Sequence, residues 1–379
     1  MTMKILTTLI LVAASAFAAE PQFSDVFTAG KEGYPSIRIP SVVVTKKGTV
    51  LAFAEGRQKH SDQAENDIVL KRSTDGGATW SALKLIQDDG ANSLNNPTAV
   101  VIESGRVLLM YQRIPAGISE RSKQIESGYD GEKVYRTLLV TSDDDGVTWS
   151  APQDVTRGTK RGDRPVTIAT GPGIGIQLTR GEHKGRVIMP FNEGPYNVWN
   201  DYAAFSDDDG KTWKFGENAP GAFVMDAKGA QRSQVNEVQM VEQSDGSVRL
   251  NTRQFAGEKV RKTAVSKDGG ASWSPVVEVP ELRDPSCMAS IFRYSFDDAD
   301  GKGRVLYSGP DSLKRENGTV HLSTDDGATW KVQRVLFPGS FGYSVLTKLA
   351  DGTVGCLFET DGANRIVFAR FPVDWVSGK

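Results

Sequence analysis

Charged and phenolic side chains stand at the ends of several apolar runs in this chain of 379 residues. A bare charge in such a position is costly unless it meets a partner or a ligand, so these residues are the first candidates for a functional site. Arginines stay charged and can bind an anion through two hydrogen bonds. Carboxyl groups can transfer protons to and from a reacting group. The candidates are Arg38, Arg57, Asp62, Glu237, Arg253, Arg315 and Tyr343.

The rest of the chain is organised around a repeated octapeptide with the pattern Ser-x-Asp-x-Gly-x-Thr-Trp. Asp accepts hydrogen bonds from nearby backbone amides and Gly supplies a positive φ, so the pattern is typical of a tight turn. β-forming residues flank the copies, which predicts that each one joins two antiparallel strands. Because an active site needs its acid only once, we interpret these repeated aspartates as structural rather than catalytic or metal-binding. The copies begin at Ser73, Ser142, Ser206, Ser266 and Ser323, and the fourth has Ser272 in place of Thr.

The spacing of the octapeptides predicts one supersecondary unit repeated along the chain. Short apolar or alternating runs fill the intervals, and no segment has the length and 3.6-residue period of a long helix. Dividing about 360 residues by the mean spacing gives roughly six units, which predicts an all-β, six-bladed β-propeller. We expect a single domain over residues 19–379, with the blade shared by the two chain ends lacking an octapeptide. Residues 116–135 and 157–175 are candidate loops around the mouth of a site.

Residues 1–18 have the parts of a secretory signal peptide. Lys4 supplies the positive charge, an apolar run follows, and Ala16-Phe17-Ala18 provides a small-x-small cleavage pattern. The apolar run is too short to span a bilayer as a helix. We therefore expect an exported protein, either periplasmic or secreted, with a retained N-terminal anchor as the alternative.

Composition narrows the range of partners and cofactors. The formal net charge is −2 and no basic or acidic block occurs, which argues against nucleic-acid and membrane-surface partners. The three histidines are widely spaced and form no metal-ligand pattern, so we expect neither a metal nor a cofactor. Cys287 and Cys356 are the only cysteines. They could pair after export or remain as two buried thiols, and the sequence leaves both alternatives open.

The ordered set of arginines, acids and tyrosine, interleaved with the octapeptides, resembles the bacterial exo-sialidases, or neuraminidases. In that family the octapeptides are Asp boxes on a six-bladed propeller, and the resemblance extends over nearly the whole chain after residue 18. One departure is Ile37, where Phe or Tyr is commoner before the Arg-Ile-Pro motif. The matching positions are Arg38 in Arg-Ile-Pro, Arg57 in Glu-Gly-Arg, Asp62, Glu237 in Asn-Glu, Arg253, Arg315, Tyr343 and Glu359, with Asn96 in Asn-Asn-Pro, where some relatives carry Asp.

The resemblance implies an enzyme that removes terminal sialic acid from glycoproteins or other sialylated glycans. We expect the protein to be a monomer. A sialic acid bears a carboxylate on its anomeric carbon, and guanidinium groups suit this permanent anion. Arg38, Arg253 and Arg315 would hold the carboxylate, with Glu359 steadying the first of them. Arg57 is expected to contact either the carboxylate or the O4 side of the ring, and Asn96 is expected to contact the substrate.

The resemblance also implies a tyrosine nucleophile. An anionic nucleophile would be repelled by the carboxylate of the sugar, whereas a neutral phenol avoids that repulsion. The ordinary pKa of a tyrosine, about 10, requires a base beside it, and Glu237 is the implied base for Tyr343. Asp62 would protonate the leaving oxygen and then deprotonate water, so we expect it in a partly dry loop that raises its pKa. Two displacements through a tyrosyl-glycoside would give net retention.

Alternatives remain at two levels. Each arginine could be a surface residue paired with an acid, Glu237 could pair structurally with Arg253, and Asp67 is the fallback for Asp62. The whole protein could be a non-catalytic propeller that serves as a binding receptor. Within the enzyme class, a trans-sialidase or a dehydrating sialidase is the alternative to simple hydrolysis.

Overall fold

The computed structural model describes residues 19–164, 166–297 and 303–378, so the predicted signal peptide lies outside the described residues. Regular structure in these ranges is almost entirely β-sheet, with one short α-helix, α1 (Thr156–Thr159), and two 3-10 turns (Asp361–Ala363 and Val373–Ser377). None of the helices in these ranges has the length and apolar composition needed to cross a bilayer.

The first strand, β1 (Gln22–Thr28), belongs to neither of the two blades that follow it in the chain. The first blade contains β2 (Ser36–Val44), β3 (Val50–Arg57), β4 (Asp67–Ser73) and β5 (Lys84–Gln87). The second blade contains β6 (Ser93–Val101), β7 (Val107–Ile114), β8 (Arg136–Ser142) and β9 (Gln153–Asp154). Neighbouring strands within each of these blades are antiparallel.

The third and fourth blades are separated by a small hairpin. The third consists of β13 (Val187–Glu193), β14 (Asn200–Ser206) and β15 (Lys214–Phe215), with β10 (Ile168–Thr170) and β12 (Ile176–Gln177) both paired with β13 as its first strand. Between β10 and β12 in the chain, β11 (Gly173–Ile174) pairs in parallel with β6 of the second blade. The hairpin consists of β16 (Phe223–Met225) and β17 (Gln231–Ser233). The fourth blade consists of β18 (Val238–Glu242), β19 (Val248–Thr252), β20 (Val260–Ser266) and β21 (Val277–Arg283).

The last two blades close the ring. The fifth consists of β22 (Ser290–Ser295), β23 (Arg304–Pro310), β24 (Glu316–Ser323) and β25 (Val332–Ser340), and the sixth of β26 (Ser344–Lys348), β27 (Val354–Thr360) and β28 (Arg365–Phe371), completed by β1. Strand β2 contacts both β6 and β26, and β22 contacts both β18 and β26. These contacts join the first blade to the last, which confirms the predicted six-bladed propeller.

Each octapeptide lies between the third and fourth strands of its blade, and the blade shared by the chain ends has none. In the first copy, Ser73 Oγ accepts a hydrogen bond from the amide of Gly77 at 2.8 Å. Asp75 accepts the amide of Thr79 at 3.0 Å and the hydroxyl of Thr79 at 2.5 Å. The same amide bonds recur in the other four copies. The repeated aspartates therefore bond the donors of their own turns, as the structural interpretation requires.

The glycine of the first octapeptide also brings two blades together. Gly77 has a φ of 89°, and a Cβ on it would lie 2.2 Å from the ring of Phe368 in the sixth blade. The ring of Trp80 meets that of Phe368 edge to face, with centroids 5.5 Å apart. Trp149 of the second blade packs against Phe53 of the first in the same way, at 5.6 Å. In these two copies the octapeptide therefore packs its blade against the preceding one.

Antiparallel pairing separates the octapeptides from the candidate functional residues. In the first blade, Ser36 pairs with Arg57 at one end, whereas Val50 pairs with Ser73 at the other. The start of the first strand and the connection between the second and third strands therefore share one face of the ring. The octapeptides occupy the opposite face.

Both cysteines are buried free thiols. Burial raises the pKa of Cys287 and of Cys356 to about 12. Of the two alternatives that the sequence leaves open, the structure shows the unpaired state.

Candidate active site

A cavity of about 1130 Å³, its open mouth included, lies on the face away from the octapeptides. A neighbouring cleft shares Arg38, Arg57, Asp62 and Arg315 with the cavity and includes Glu359 in its wall. The residues that the sequence predicts therefore come together from the first, second, fourth, fifth and sixth blades. Those that line the cavity itself are Arg38, Arg57, Asp62, Asn96, Glu237, Arg253, Arg315 and Tyr343.

A bulge in β2 presents Arg38. The register with β3 shifts between Arg38 and Ser41, and Ile39 between them has a φ of 61°. This conformation is strained for a β-branched residue and persists only where the surroundings enforce it. Glu359 supplies the constraint, because it accepts the backbone N–H of Ile39 at 2.9 Å. It also accepts two hydrogen bonds from the guanidinium of Arg38, at 2.9 and 3.1 Å.

The Arg38–Glu359 pair stays ionised although it is buried. Burial raises the pKa of Glu359, but the charge and hydrogen bonds of Arg38 outweigh burial and hold that pKa below its ordinary value. Burial lowers the pKa of Arg38, and the charge of Glu359 more than offsets this, so the pKa is raised. Arg38 is therefore a fixed positive charge at the wall of the cavity.

Tyr343 precedes β26 and meets two groups from the fourth blade. Its hydroxyl donates to Glu237 Oε1 at 2.5 Å and accepts from Arg253 Nη1 at 2.9 Å. Arg253 Nη1 also donates to Glu237 Oε2 at 2.5 Å. Because Val238 pairs with Thr252, the residues just before β18 and just after β19 lie side by side. Glu237 therefore contacts both the phenol and the arginine.

The environment of Tyr343 keeps its phenol protonated until a base removes the proton. Burial raises the pKa of Tyr343, and the charge of Glu237 raises it further. Arg253, Arg315 and Arg38 lower it, although the net direction is upward. The geometry supplies a proton acceptor at hydrogen-bond distance and three positive charges that stabilise a phenolate.

The three predicted carboxylate-binding arginines surround Tyr343. The guanidinium carbons of Arg38 and Arg315 lie 5.1 and 5.2 Å from the centroid of its ring. Arg315 donates to the backbone oxygen of Ser286 at 2.9 Å, and within the described ranges it forms no ion pair. Glu359 and Glu237 thus supply two carboxylates for three guanidiniums, which leaves a positive charge for an anionic ligand.

Asp62 lies at the edge of the cavity in a more exposed position than the sequence predicts. Its side chain is 66% exposed and accepts a hydrogen bond from Arg57 at 3.0 Å. The expectation of a partly dry loop is therefore wrong, because residues 58–62 run over the surface of the first blade. Its backbone oxygen accepts the side-chain amides of Asn66 and Asn95, both at 2.8 Å, and these bonds hold the loop in place. Asp67, the fallback acid, is bonded to Tyr34 at 2.7 Å and is absent from the cavity wall.

Glu55, in the Glu-Gly-Arg motif, is a neighbour of the site to which the sequence analysis assigns no role. It is fully buried and pairs with Arg57 at 2.6 Å. It also accepts the backbone N–H of Asn96 at 2.7 Å. Burial raises its pKa, and the charge of Arg57 opposes that rise. The signal was a carboxyl at the end of the apolar run Val50–Ala54, which requires a buried partner.

Asn96 lies at a second bulge, in β6. The register with β7 shifts between Asn95 and Thr98, and Asn96 has a φ of 57°. Its side-chain amide donates to the backbone oxygen of Thr170 at 3.2 Å. Asn tolerates this left-handed conformation better than most residues, so the backbone geometry explains its presence here.

The far wall of the cavity comes from loops that the sequence singles out without assigning residues. Residues 116–135 supply Glu120, Arg121 and Tyr135, and residues 167–169 come from the second predicted loop. Arg121 stacks 4.3 Å from the ring centroid of Tyr196 and donates to its hydroxyl at 2.6 Å. The described residues contain no group of His, Cys, Asp and Glu suited to a metal ion.

Comparison with known proteins places this geometry in a family. Residues 48–356 match the model of the BNR repeat-like domain. The chain is 34% identical over 374 residues to a sialidase of Micromonospora viridifaciens and 30% identical over 356 residues to a sialidase of Bacteroides fragilis. These alignments cover 95% and 89% of the chain, but the chain spans only 55% and 62% of the two relatives.

Solved structures share the fold over the same extent. The Hadza microbial sialidase Hz136 superposes with a TM-score of 0.78 at 27% identity, over 92% of this chain and 68% of its own. The intramolecular trans-sialidase from Ruminococcus gnavus superposes with a TM-score of 0.77 at 22% identity, over 94% and 98%. The match to the family model over most of the chain shows that the chain belongs to the BNR repeat-like domain family, and its similarity to the two bacterial sialidases confirms the resemblance predicted from the sequence.

Proposed function

We propose that this protein is an exo-α-sialidase that hydrolyses terminal sialic acid from glycoconjugates, with retention, through a tyrosyl-glycoside. The observation that carries the proposal is the meeting of Arg38, Arg253 and Arg315 around Tyr343, whose hydroxyl lies 2.5 Å from Glu237. A binding protein would need the arginines alone. It has no use for a phenol bonded to a buried carboxylate beside them.

The charges in the cavity fit a substrate with a carboxylate on its reacting carbon. Arg315 has no acid partner among the described residues, so an anion beside it gains an ion pair without breaking one. Arginine can hold such a carboxylate through two parallel hydrogen bonds. The sugar carboxylate would thereby fix the anomeric carbon next to the phenol.

The first displacement requires one proton to leave the nucleophile and another to reach the leaving group. Tyr343 Oη attacks the anomeric carbon while its proton passes to Glu237, and the bond to the aglycone oxygen breaks as Asp62 protonates that oxygen. Asp62 borders both the cavity and the neighbouring cleft, which is where a chain leading out of the cavity would pass. Glycan bound over this exposed carboxyl would supply the dry surroundings that the free protein lacks.

The second displacement reverses these roles. Asp62 takes a proton from water, the hydroxyl of that water attacks the anomeric carbon, and the Tyr343–carbon bond breaks. Glu237 returns its proton to the phenolate. Arg253 contacts both Tyr343 and Glu237, so its charge stays close to the negative charge in either state.

The test is release of 4-methylumbelliferone from its α-sialoside by purified protein. We expect the wild type to release it and Tyr343→Phe to lose at least about 100-fold in kcat, as expected when covalent catalysis is removed. The matched control is Tyr129→Phe, which removes the hydroxyl of a tyrosine on another part of the surface. This variant should keep normal turnover. Thermal unfolding of each variant establishes that the fold is intact.

Two outcomes contradict the proposal. Absence of release by the wild type over a wide pH range favours the binding-receptor alternative. Near-normal turnover by Tyr343→Phe removes the nucleophile. Proton NMR of the first product separates hydrolysis with retention from transfer or dehydration, because retention gives the α-anomer first.

We also propose that residues 1–18 direct export. N-terminal sequencing of the protein recovered outside the cytoplasm should begin at Ala19. A start at Met1 would contradict cleavage after the Ala-Phe-Ala pattern.

A further inference from the structure

Two of the arginines that surround Tyr343 meet at Ser286, a residue that lies behind the cavity wall. The hydroxyl of Ser286 accepts from Arg253 Nε at 3.4 Å and donates to the backbone oxygen of Gln254 at 2.9 Å. Its backbone oxygen accepts from Arg315 Nη2 at 2.9 Å. Because Arg253 follows β19 of the fourth blade and Arg315 precedes β24 of the fifth, this one residue bridges two blades behind the site.

The acceptors that Ser286 offers are neutral. A carbonyl or hydroxyl oxygen orients a guanidinium through a hydrogen bond without cancelling its charge, whereas a carboxylate does both. Arg38 is held by a carboxylate, that of Glu359. Arg315 is held by the backbone oxygen of Ser286 instead, so its charge remains available to an anionic ligand.

The backbone of Ser286 has a conformation that its surroundings must enforce. Its φ is 66°, in the left-handed region that residues other than glycine adopt rarely. Asp284 supplies the constraint, because one of its carboxylate oxygens accepts the backbone N–H of Cys287 at 2.8 Å. The other accepts the backbone N–H of Gln254 at 2.8 Å. These bonds tie the turn at Ser286 to the chain beside Arg253.

Asp284 is in turn fixed by a buried ion pair. Its side chain is 1% exposed and that of Arg261 is fully buried, and Arg261 Nη1 lies 3.0 Å from Asp284 Oδ2. Arg261 also donates to the backbone oxygen of Cys287 and to Asn251 Oδ1, both at 2.8 Å. A buried pair of this kind is stable only in a narrow range of geometries, so it holds residues 284–287 in one arrangement.

We propose that Ser286 is a positioning residue for binding of the substrate carboxylate, and that the Asp284–Arg261 pair keeps it in place. Ser286 holds Arg253 and Arg315 at a fixed separation although their like charges repel each other. Both guanidiniums can then bond one carboxylate without first being reordered. This inference rests on the proposed function for the identity of the ligand, but it concerns binding and not turnover.

The experiment measures, by titration calorimetry, the binding of 2-deoxy-2,3-didehydro-N-acetylneuraminic acid and of its carboxamide, which lacks the negative charge. The carboxamide-to-carboxylate ratio of dissociation constants reports recognition of the carboxylate itself. Ser286→Ala removes the hydroxyl and should lower this ratio by about three- to tenfold, the effect of one or two lost hydrogen bonds. Asp284→Asn should lower it by about tenfold or more, because Arg261 loses its charge partner and the turn at Ser286 loses its support.

Ser286→Gly separates positioning from stability. Glycine adopts a φ of 66° without strain, so this variant should unfold at a higher temperature than Ser286→Ala. It lacks the same hydroxyl and has a freer backbone, so it should bind the carboxylate no better than Ser286→Ala. A merely structural role for Ser286 would make affinity follow stability.

Two control variants change similar groups on other contacts. Ser290→Ala removes another buried serine hydroxyl, which accepts the backbone N–H of Leu346 at 3.1 Å. Glu278→Gln removes the charge partner of Lys262, the buried residue next to Arg261 in β20. Both variants should leave the ratio of dissociation constants as in the wild type.

A ratio that stays at the wild-type value in Ser286→Ala and Ser286→Gly contradicts the positioning role, as does an equal fall in the two controls. These outcomes decide the inference even if Asp284→Asn does not fold. An unchanged ratio in variants of an active wild type refutes this inference alone. A protein that binds the two probes with the expected ratios but releases no product refutes the proposed function and leaves the inference intact.

Discussion

At the scale of single residues, the centre of the site is a hydrogen-bonded trio of Tyr343, Glu237 and Arg253. The Tyr343 hydroxyl donates to one oxygen of Glu237 while Arg253 bonds the other oxygen and the phenol itself. Moving the proton from the phenol to the carboxyl leaves the total charge of the trio unchanged. In the proposed reaction, the positive charge of Arg253 would therefore stabilise both protonation states with little reorganisation.

Asp62→Asn should separate substrates by their leaving groups. Without a general acid, release of lactose from sialyllactose should fall by about 10²–10⁴-fold, because an alkoxide is a poor leaving group. Release of 4-methylumbelliferone, whose phenol is far more acidic, should fall much less. Parallel kcat/KM measurements on the two substrates check this expectation.

The control for this variant is Asp67→Asn, at the fallback acid, which bonds Tyr34 and is absent from the cavity wall. This control variant should change kcat/KM by the same factor on both substrates. An equal loss on both substrates with Asp62→Asn would show that Asp62 holds the loop or Arg57 and does not protonate the leaving group.

Glu359→Gln should weaken substrate binding through Arg38. The variant keeps the shape of Glu359 but leaves a buried guanidinium without its charge partner, which costs about 3–5 kcal/mol of stability. We expect a fall in the unfolding temperature together with a KM raised by about tenfold or more, since a less ordered Arg38 binds the carboxylate less well. Steady-state kinetics and calorimetry measure the two effects, and an unchanged KM would contradict the positioning role.

At the scale of structural elements, two bulges at matching places in neighbouring blades position side chains of the candidate site. Each consists of a residue with positive φ followed by a proline, Ile39 before Pro40 in β2 and Asn96 before Pro97 in β6. Each is held by a buried carboxylate that accepts its backbone N–H, Glu359 for the first and Glu55 for the second. The strain is therefore maintained by the same acids that hold Arg38 and Arg57.

The pair Asn96→Gly and Asn96→Val isolates the backbone of the second bulge. Both variants lose the bond from the side chain to Thr170, but only glycine accepts a φ of 57° freely. The valine variant should be less stable than the glycine variant by about 1–2 kcal/mol and should lose more activity. Denaturant unfolding of the two proteins gives the difference, and equal stabilities would contradict strain at this position.

Particular residues show how far the sequence predicts the site. Arg38, Arg253, Arg315 and Tyr343 were found because charged or phenolic groups at the ends of apolar runs matched an ordered family pattern. The pairing of Arg38 with Glu359 joins residues 321 positions apart, and only the closed ring brings them together. The exposure of Asp62 depends on the course of one loop, which no local pattern encodes.

The same limit applies to the elements. The octapeptides predicted five turns and, through their spacing, the number of blades. The parallel pairing of β11 with the second blade and the hairpin of β16 and β17 were not predicted, because these strands are only two or three residues long. Runs so short have no readable period.

At the scale of the whole molecule, the octapeptide turns contribute stability that depends on pH. Hydrogen bonds from Thr79 and from Thr148 lower the pKa of Asp75 and of Asp144 from 3.8 to about 2. A carboxyl whose pKa is depressed by folding stabilises the folded state fully above its ordinary pKa. That contribution is lost as the pH falls from about 4 through 2.

The unfolding temperature should therefore fall as the pH is lowered from 4 to 2. Asp75→Asn should lower the unfolding temperature at pH 7 by about 1–3 °C and reduce the acid-dependent part of the shift. Asp88→Asn, outside the octapeptides, is the matched control. An acid shift of the same size in Asp75→Asn and the wild type would contradict the contribution of this turn.

The central claim is that Tyr343, activated by Glu237 and surrounded by three arginines, attacks the anomeric carbon of a sialic acid. The most direct measurement is trapping with a 3-fluorosialosyl fluoride, whose fluorine slows the second displacement, followed by mass mapping of the labelled peptide. The account predicts one covalent adduct, on the oxygen of Tyr343, and none in Tyr343→Phe. An adduct on an aspartate or glutamate, or rapid turnover without any adduct, would contradict it.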